Sequence, residues 1–317
     1  MAHVTKEMLR ERFVEAGLES FWPQLEPLIR SSIKINSSRC QEDSLQVGAS
    51  KRGGTPDLPT GFVWPERDGQ QCGFLCQINL AEVLPYDTGK LLPEAGLLSF
   101  FLREDFIGGE VDSDPVFYFP PEVPLERYPV AQETLFGVLK ISFDFTWLIP
   151  NSWSGKLDFL DSNPEAEAKF EDVMNVLHDM SGAGVFETMA AIAIAEGETT
   201  LPDVLRQLLT PPAEPLDPLM GCVSLGGDSL LGYPDDYQGA QEPECELIYR
   251  GLVKGSHGDR PENYQALWQE VKEQAFQDWI CLLDTSDGVG VFSLSYCIRR
   301  YDLEGWDFTK TVMIAVN

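Results

Sequence analysis

Positive charge is scarce in this chain. Its 317 residues hold 23 Lys and Arg against 51 Asp and Glu, a formal net charge of −28. Such a balance is repelled by phosphate backbones and by anionic lipid, so neither nucleic acid nor a membrane is expected as a partner. Histidine is scarcer still: only His3, His178 and His257 occur, and these are the only side chains whose ordinary pKa suits general-base work near neutrality. No apolar run approaches the roughly 20 residues that cross a bilayer. The first residues lack the basic-then-apolar pattern of a leader. The seven cysteines (Cys40, Cys72, Cys76, Cys222, Cys245, Cys281 and Cys297) are odd in number. A reducing, cytoplasmic setting with free thiols is therefore expected.

Catalytic and metal-binding signatures are also missing. Gly227-Asp228-Ser229 resembles a nucleophile elbow, but Leu231 stands where that turn requires Gly. Cys72-Gly-Phe-Leu-Cys76 has no second thiol pair to complete a four-ligand zinc site. Asp284-Thr-Ser-Asp287-Gly288 lacks the spaced oxygen ligands of a calcium loop. Gly48-Ala-Ser-Lys-Arg-Gly-Gly54 cannot be a P-loop, because Pro56 and Pro59 block the helix that must follow. No catalytic residue, metal or cofactor is assigned on these grounds.

What is present is a folded chain, with 43% hydrophobic and 11% aromatic residues. Thr5 caps a first helix with Leu9, Phe13 and Ala16 on one face and Gly17 at its end. A second short helix is read around residues 24–33, followed by ordered loop with a little strand over 36–72. Strands are read at Gly73–Asn79, Leu97–Leu102, Val116–Phe119, Leu139–Phe145, Cys245–Tyr249 and Trp279–Leu283, and in two alternating runs at the C-terminal end. Pro164 opens a helix with Phe170, Val173, Met174 and Leu177 at helical spacing, closed by Gly182. Further helices are read at 202–209 and after Pro261, where Tyr264, Leu267, Trp268, Val271 and Ala275 share a face; 185–195 fits strand or helix. This order predicts an α+β fold with mostly antiparallel sheets and a few helices. It comprises an N-terminal helical segment (1–35) packed on a single domain (36–317). Gly53-Gly54, Trp64-Pro65, Gln77-Ile-Asn79 and Gly96…Phe100 are echoed in order by Gly226-Gly227, Tyr233-Pro234, Leu283-Asp284-Thr285 and Gly288…Phe292. Two related halves, 50–160 and 220–317, follow from that echo.

An ordered set of short motifs resembles the YwqG-like family of bacterial proteins of unknown function. It runs through Ser50-Lys-Arg-Gly-Gly-Thr-Pro56, Trp64-Pro65, Gln77-Ile-Asn79 and Gly96-Leu-Leu-Ser-Phe-Phe101. It continues at Leu231-Gly-Tyr-Pro234, Gln238, Trp279 and Leu282-Leu-Asp284. The resemblance implies one α+β domain built from related halves. Because some members neighbour secreted toxins, it also implies an immunity-like role. The chain departs from the family where Leu283 replaces a Gln and Val289-Gly-Val-Phe292 replaces a Trp-Gly-Asp-type step.

The functional expectation is a non-catalytic binding module whose acidic surface meets a basic protein; its oligomeric state is left open, with a monomer favoured. The alternative is an enzyme or small-ligand binder with a polar pocket between the halves. The candidate binding residues are Arg52, Gly53, Gly54, Trp64, Gln77, Asn79, Tyr233, Gln238 and Asp284. Gln77 and Asn79 lie two apart and share a strand face. They either tie down neighbouring loop backbone or line that pocket with Trp64 and Tyr233.

Overall fold

The computed structural model of the chain describes residues 4–67, 69–102, 115–128, 137–177, 223–224, 228–234, 239–254, 260–286 and 293–316. Gln238, Gly182, Phe292 and the segments read at 185–195 and 202–209 lie outside them. The helices are α1 (Lys6–Glu15), α2 (Trp22–Leu25), α3 (Leu80–Val83), α4 (Pro164–Leu177), α5 (Glu242–Tyr249), α6 (Tyr264–Asp278) and α7 (Arg300–Glu304). The strands are β1 (Arg30–Arg39), β2 (Lys51–Arg52), β3 (Asp57–Pro59), β4 (Glu66–Arg67), β5 (Gln70–Gln71), β6 (Gly73–Asn79), β7 (Leu97–Leu102), β8 (Val116–Phe119), β9 (Leu125–Arg127), β10 (Leu139–Leu148), β11 (Val223–Ser224), β12 (Ser229–Gly232), β13 (Trp279–Ser286), β14 (Ser293–Arg299) and β15 (Val312–Val316). The fold is α+β, as its element order predicts.

The chain divides into two compact units, Met1–Ile29 with Asp158–Ser224, and Arg30–Leu157 with Leu225–Asn317. In the first, the Thr5 hydroxyl accepts the Met8 N–H at 3.4 Å and caps α1. Phe13 stacks on Phe170 of α4 with ring centroids 5.9 Å apart, so the apolar stripes of the two helices meet.

The second unit is built on one long sheet, ordered β15-β14-β13-β12-β1-β10-β2-β6-β7-β8. Its neighbours pair antiparallel throughout. At its centre β1 and β10 pair from Arg30↔Leu148 to Arg39↔Leu139. On either side hangs a four-stranded meander with the same connectivity, β2-β6-β7-β8 on one flank and β12-β13-β14-β15 on the other. Each carries a bulge in its second strand, between Phe74 and Cys76 in β6 and between Cys281 and Leu283 in β13. The bulge fixes the correspondence between the halves. Gln77 lies opposite Ser99 and Lys51, and Asp284 lies opposite Ser295 and Ser229. The structural counterpart of Gln77 is thus Asp284, one residue along from the Leu283 that the sequence echo matched to it. Both strands carry the bulge at the same place, so strand pairing, rather than likeness of short motifs, fixes which residues correspond.

The meanders face each other. Phe100 and Tyr296 meet edge to face at 5.2 Å, and the Tyr296 hydroxyl donates to the Phe101 carbonyl at 3.1 Å. One apolar cluster between them includes Cys76, Ile78, Leu98, Leu282, Leu294 and Ile298. Each outer face has its own cover. An aromatic layer from Phe62, Trp64 and Tyr128 packs over Phe74 and Phe101, and α5 and α6 pack over Cys281, Cys297 and Ile314.

Two readings of local structure are corrected here. Residues 30–33 belong to β1 rather than to a helix, since the short helical turns end at Leu28. Ile33 and Ile35 alternate with exposed Lys34, and β10 supplies the ladder that the segment alone cannot show. Cys245–Tyr249 is the end of helix α5, not a strand. Pro243 sits in its first turn beside Glu242 and Glu244, which favour the positive helix end. Five residues with Glu246 among apolar neighbours fit either period, and packing on α6 decides it.

Helix α5 is pinned to the sheet by Glu246, whose carboxylate accepts from Trp279 Nε1 and Arg299 Nε, each at 2.9 Å, and from Arg250 Nε at 2.5 Å. Burial pushes this carboxyl up, but the donated hydrogen bonds of Arg299, Trp279 and Arg250 outweigh it and hold it below 4.5. A depressed carboxylate contributes stability above its unfolded value and loses it as pH falls through the folded one. Acid titration of unfolding free energy is therefore expected to show a shallower loss below pH 4.5 in Glu246→Gln than in the native chain.

Gly96 precedes β7 with φ +111°, and a Cβ there would lie 2.5 Å from the Tyr118 ring and 2.6 Å from the Phe119 carbonyl. Gly61 has φ +77° with nothing near. Gly96→Ala is expected to cost about 1–3 kcal/mol more than Gly61→Ala, because overpacking adds to the backbone penalty. Urea midpoints compare them; equal losses would show that close approach is not what selects Gly96.

Candidate functional site

Strand alternation puts Gln77 and Asn79 of β6 on the outer side of their meander, with Phe74, while Cys76 and Ile78 face the apolar cluster within. Gln77 is fully buried. Its Oε1 accepts the Asp57 N–H at 2.8 Å, and its Nε2 donates to the Ala49 carbonyl and to Asp57 Oδ2, each at 2.8 Å. Asp57 is fully buried too. It accepts Gly48 N–H at 2.9 Å and Arg127 Nε at 3.1 Å, and Lys51 Nζ lies 3.6 Å away. Lys51 reaches Glu42 at 3.2 Å and the Thr55 carbonyl; burial pulls its pKa down, opposed by Asp57 and Glu42. Asn79 caps α3 by accepting Ala81 N–H at 3.0 Å, and its Nδ2 donates to the Gly48 carbonyl at 2.8 Å. The amides of Gln77 and Asn79 therefore hold the turn from Gly48 to Pro59 against β6. Gly53 and Gly54 shape that turn with φ of +62° and +68°. At Gly54 a Cβ would stand 2.8 Å from Glu42 Oε1.

Arg52 alternates to the inner side. It reaches from the first meander to the second, donating from Nη1 to Asp228 at 3.3 Å and from Nη2 to the Ser286 carbonyl. Thr285 donates to the same Asp228 at 2.5 Å. This ion pair closes one end of the apolar cluster, with the Asp228 side chain 30% exposed and that of Arg52 7%. Cys76 lies behind it. Burial pushes its thiol up to about 12, despite the Arg52 cation, so it is not a thiolate nucleophile. Cys72 packs in the outer aromatic layer and Cys76 in the inner cluster, so the two thiols do not converge on one ion.

The remaining candidates lie apart. Trp64 donates from Nε1 to the Cys72 carbonyl at 2.7 Å and meets Phe101 edge to face at 5.3 Å. Asp284, fully buried, accepts from Ser295 at 2.8 Å on the outer side of the second meander. Tyr233 lies under Arg30, 4.1 Å over its ring, and beside Lys156 at 5.1 Å. Lys156 pairs with buried Glu242 at 2.9 Å. The structure thus gathers Arg52, Gly53, Gly54, Gln77 and Asn79 around β2 and β6, and leaves Trp64, Tyr233 and Asp284 elsewhere.

A cavity of about 320 Å³ opens on the second meander, between β15, the start of α5 and α6. Its walls include Gln241, Glu244, Arg260, Tyr264, Trp268 and the β15 residues from Ile314. Arg260 Nη2 donates to both Glu244 oxygens at 3.1 and 3.2 Å. Its guanidinium lies 4.4 Å over the Tyr264 ring, and the Tyr264 hydroxyl donates to Glu244 at 3.3 Å. Burial, and next the Glu244 charge, push the Tyr264 phenol up to about 12, so it remains a donor at neutral pH. Sequence reading placed Tyr264 and Trp268 on a buried helix face and passed over Glu244 and Arg260. The two charges are sixteen residues apart, and the one local signal was the i, i+4 aromatic pair.

A family model described as a domain of unknown function, DUF1963, matches residues 50–315. The chain belongs to this family. No curated protein matches it. The DUF1963 match takes in both meanders and both places described above, while β1, the strand between β10 and β12, precedes it. Among the described residues no cluster of His, Cys, Asp and Glu could hold a metal ion, and no helix is long and apolar enough to cross a membrane.

In this DUF1963 domain Gln77→Ala would strand the buried Asp57 N–H and the Ala49 carbonyl. Each such orphan costs about 1–3 kcal/mol, so a fall of about 2–4 kcal/mol in unfolding free energy is expected from denaturant titration. An unchanged midpoint would show that Gln77 does not hold the turn.

Proposed function

We propose that this chain is a YwqG-like binding module of the cytoplasm, without chemistry of its own, that engages a basic protein partner in an immunity-like or regulatory role. The observation that carries this reading is the acidic excess of the chain, together with how its few cations are used. Lys51, Arg52 and Lys156 are buried and matched to Asp57 with Glu42, to Asp228 and to Glu242. Arg127 and Arg299 are drawn to the buried carboxylates of Asp57 and Glu246. Each of these cations is matched by a carboxylate beside it, so the excess of 51 acidic over 23 basic residues is not offset by them. A field of that sign speeds encounter with cationic surfaces and disfavours anionic ones.

The polar side chains that sequence singled out support the same reading, because Gln77, Asn79 and Arg52 are engaged in internal bonds. A small-ligand role is the second reading; the cavity beside β15 favours it.

The test is capture of partners from the source cell at low and at raised salt. A basic partner lost as the screening length shrinks from about 10 Å at 0.1 M to about 3 Å at 1 M is expected. No partner, or one held equally at both salts, would count against the reading.

A further inference from the structure

The cavity beside β15 has one wall whose chemistry is specific. Glu244 presents a carboxylate whose side chain is only 13% exposed, whereas that of its partner Arg260 is 47% exposed. The anion is built into the wall, fixed by helix α5 and by the Tyr264 hydroxyl; the cation enters from the mouth. Arg260 lies over the Tyr264 ring while both carboxylate oxygens accept from its Nη2. A carboxylate beside an aromatic face is the arrangement that binds a planar guanidinium, through charge-assisted hydrogen bonds and the ring's negative face. One turn along α6, Trp268 offers a second face, with Lys272 Nζ 5.8 Å from its ring. The volume, about 320 Å³, suits a side chain or a small molecule.

We propose that this cavity binds a guanidinium group, and that Arg260 is the chain's own occupant, which an incoming arginine displaces. The inference deepens the proposed function, since it names the side chain by which a basic partner would be held. Displacement costs little because a half-exposed ion pair contributes little, while the partly buried carboxylate receives an equivalent partner in exchange. A guanidinium can come from a partner protein or from a free small molecule, and the chemistry at Glu244 is shared by both.

The test uses the purified full chain and calorimetric titration with two probes: arginine amide, and a capped peptide carrying one arginine between glycines. Lysine amide is the control. Saturable binding of at least one arginine probe, with lysine amide weaker, is expected. Tighter binding of the peptide identifies a protein-borne arginine, and tighter binding of the amide a free ligand. Arg260→Ala removes the internal competitor and is expected to tighten binding about three- to tenfold. Glu244→Gln should weaken it at least about tenfold. If Glu244→Gln does not fold, Trp268→Leu is the second variant, with a several-fold loss expected. Weaker binding by Arg260→Ala would mean that Arg260 helps to build the site rather than filling it, and would overturn the inference. So would equal binding of lysine amide, or no saturable binding by either the native chain or Arg260→Ala. Capture of a basic partner undiminished by Glu244→Gln would overturn the inference and leave the proposed function standing. Arginine binding with no partner captured would do the reverse.

Discussion

The second unit depends on the pairing of β1 with β10. That ladder runs the full length of both strands, from Arg30↔Leu148 to Arg39↔Leu139. The meanders join it only through short strands. β12 meets β1 at Ile33↔Leu230 and Lys34↔Ser229, and β2 meets β10 at Leu139↔Arg52 and Lys140↔Lys51. Such brief ladders cannot orient a meander alone. Orientation comes from the apolar cluster that the two meanders bury together, and from Arg52, which ties β2 to Asp228 and Ser286.

The duplicated layout has consequences for chemistry. Equivalent positions have taken different roles on the outer faces. Gln77 binds a loop in one half, and Asp284 accepts serine hydroxyls in the other. The bulge in each second strand gives both halves the same shift of register. Between the halves the space is filled by Phe100, Tyr296 and aliphatic side chains. Where polar groups and open volume do coincide, at the cavity beside β15, α5 and α6 supply them together with the edge strand.

Buried ion pairs recur throughout. Lys51 with Asp57, Lys156 with Glu242 and Arg299 with Glu246 each place charge in the interior. Desolvation makes such pairs poor sources of net stability, but removing one partner is costly because the other charge remains. They serve here as fixed joints: the first holds a turn, the third holds a helix to a sheet.

Sequence alone determined the composition-level facts and every element whose pattern is carried by consecutive residues. The charge excess, α1 with its Thr5 cap, α4 from Pro164, and β6, β7, β8 and β15 were all legible there. Their signals are local periodicity, caps and turn residues, which act over a few bonds. It also offered both fates for Gln77, as loop anchor or as pocket lining. Tertiary structure decided what depends on distant partners. β1 is a strand because β10 lies beside it, and α5 is a helix because α6 and the sheet cover it. The counterpart of Gln77 is Asp284 because strand pairing, not likeness of short motifs, fixes the register. Glu244 and Arg260 meet only when α5 and α6 pack. Hydrogen bonds and burial between segments far apart in sequence set these outcomes, and no local pattern encodes them.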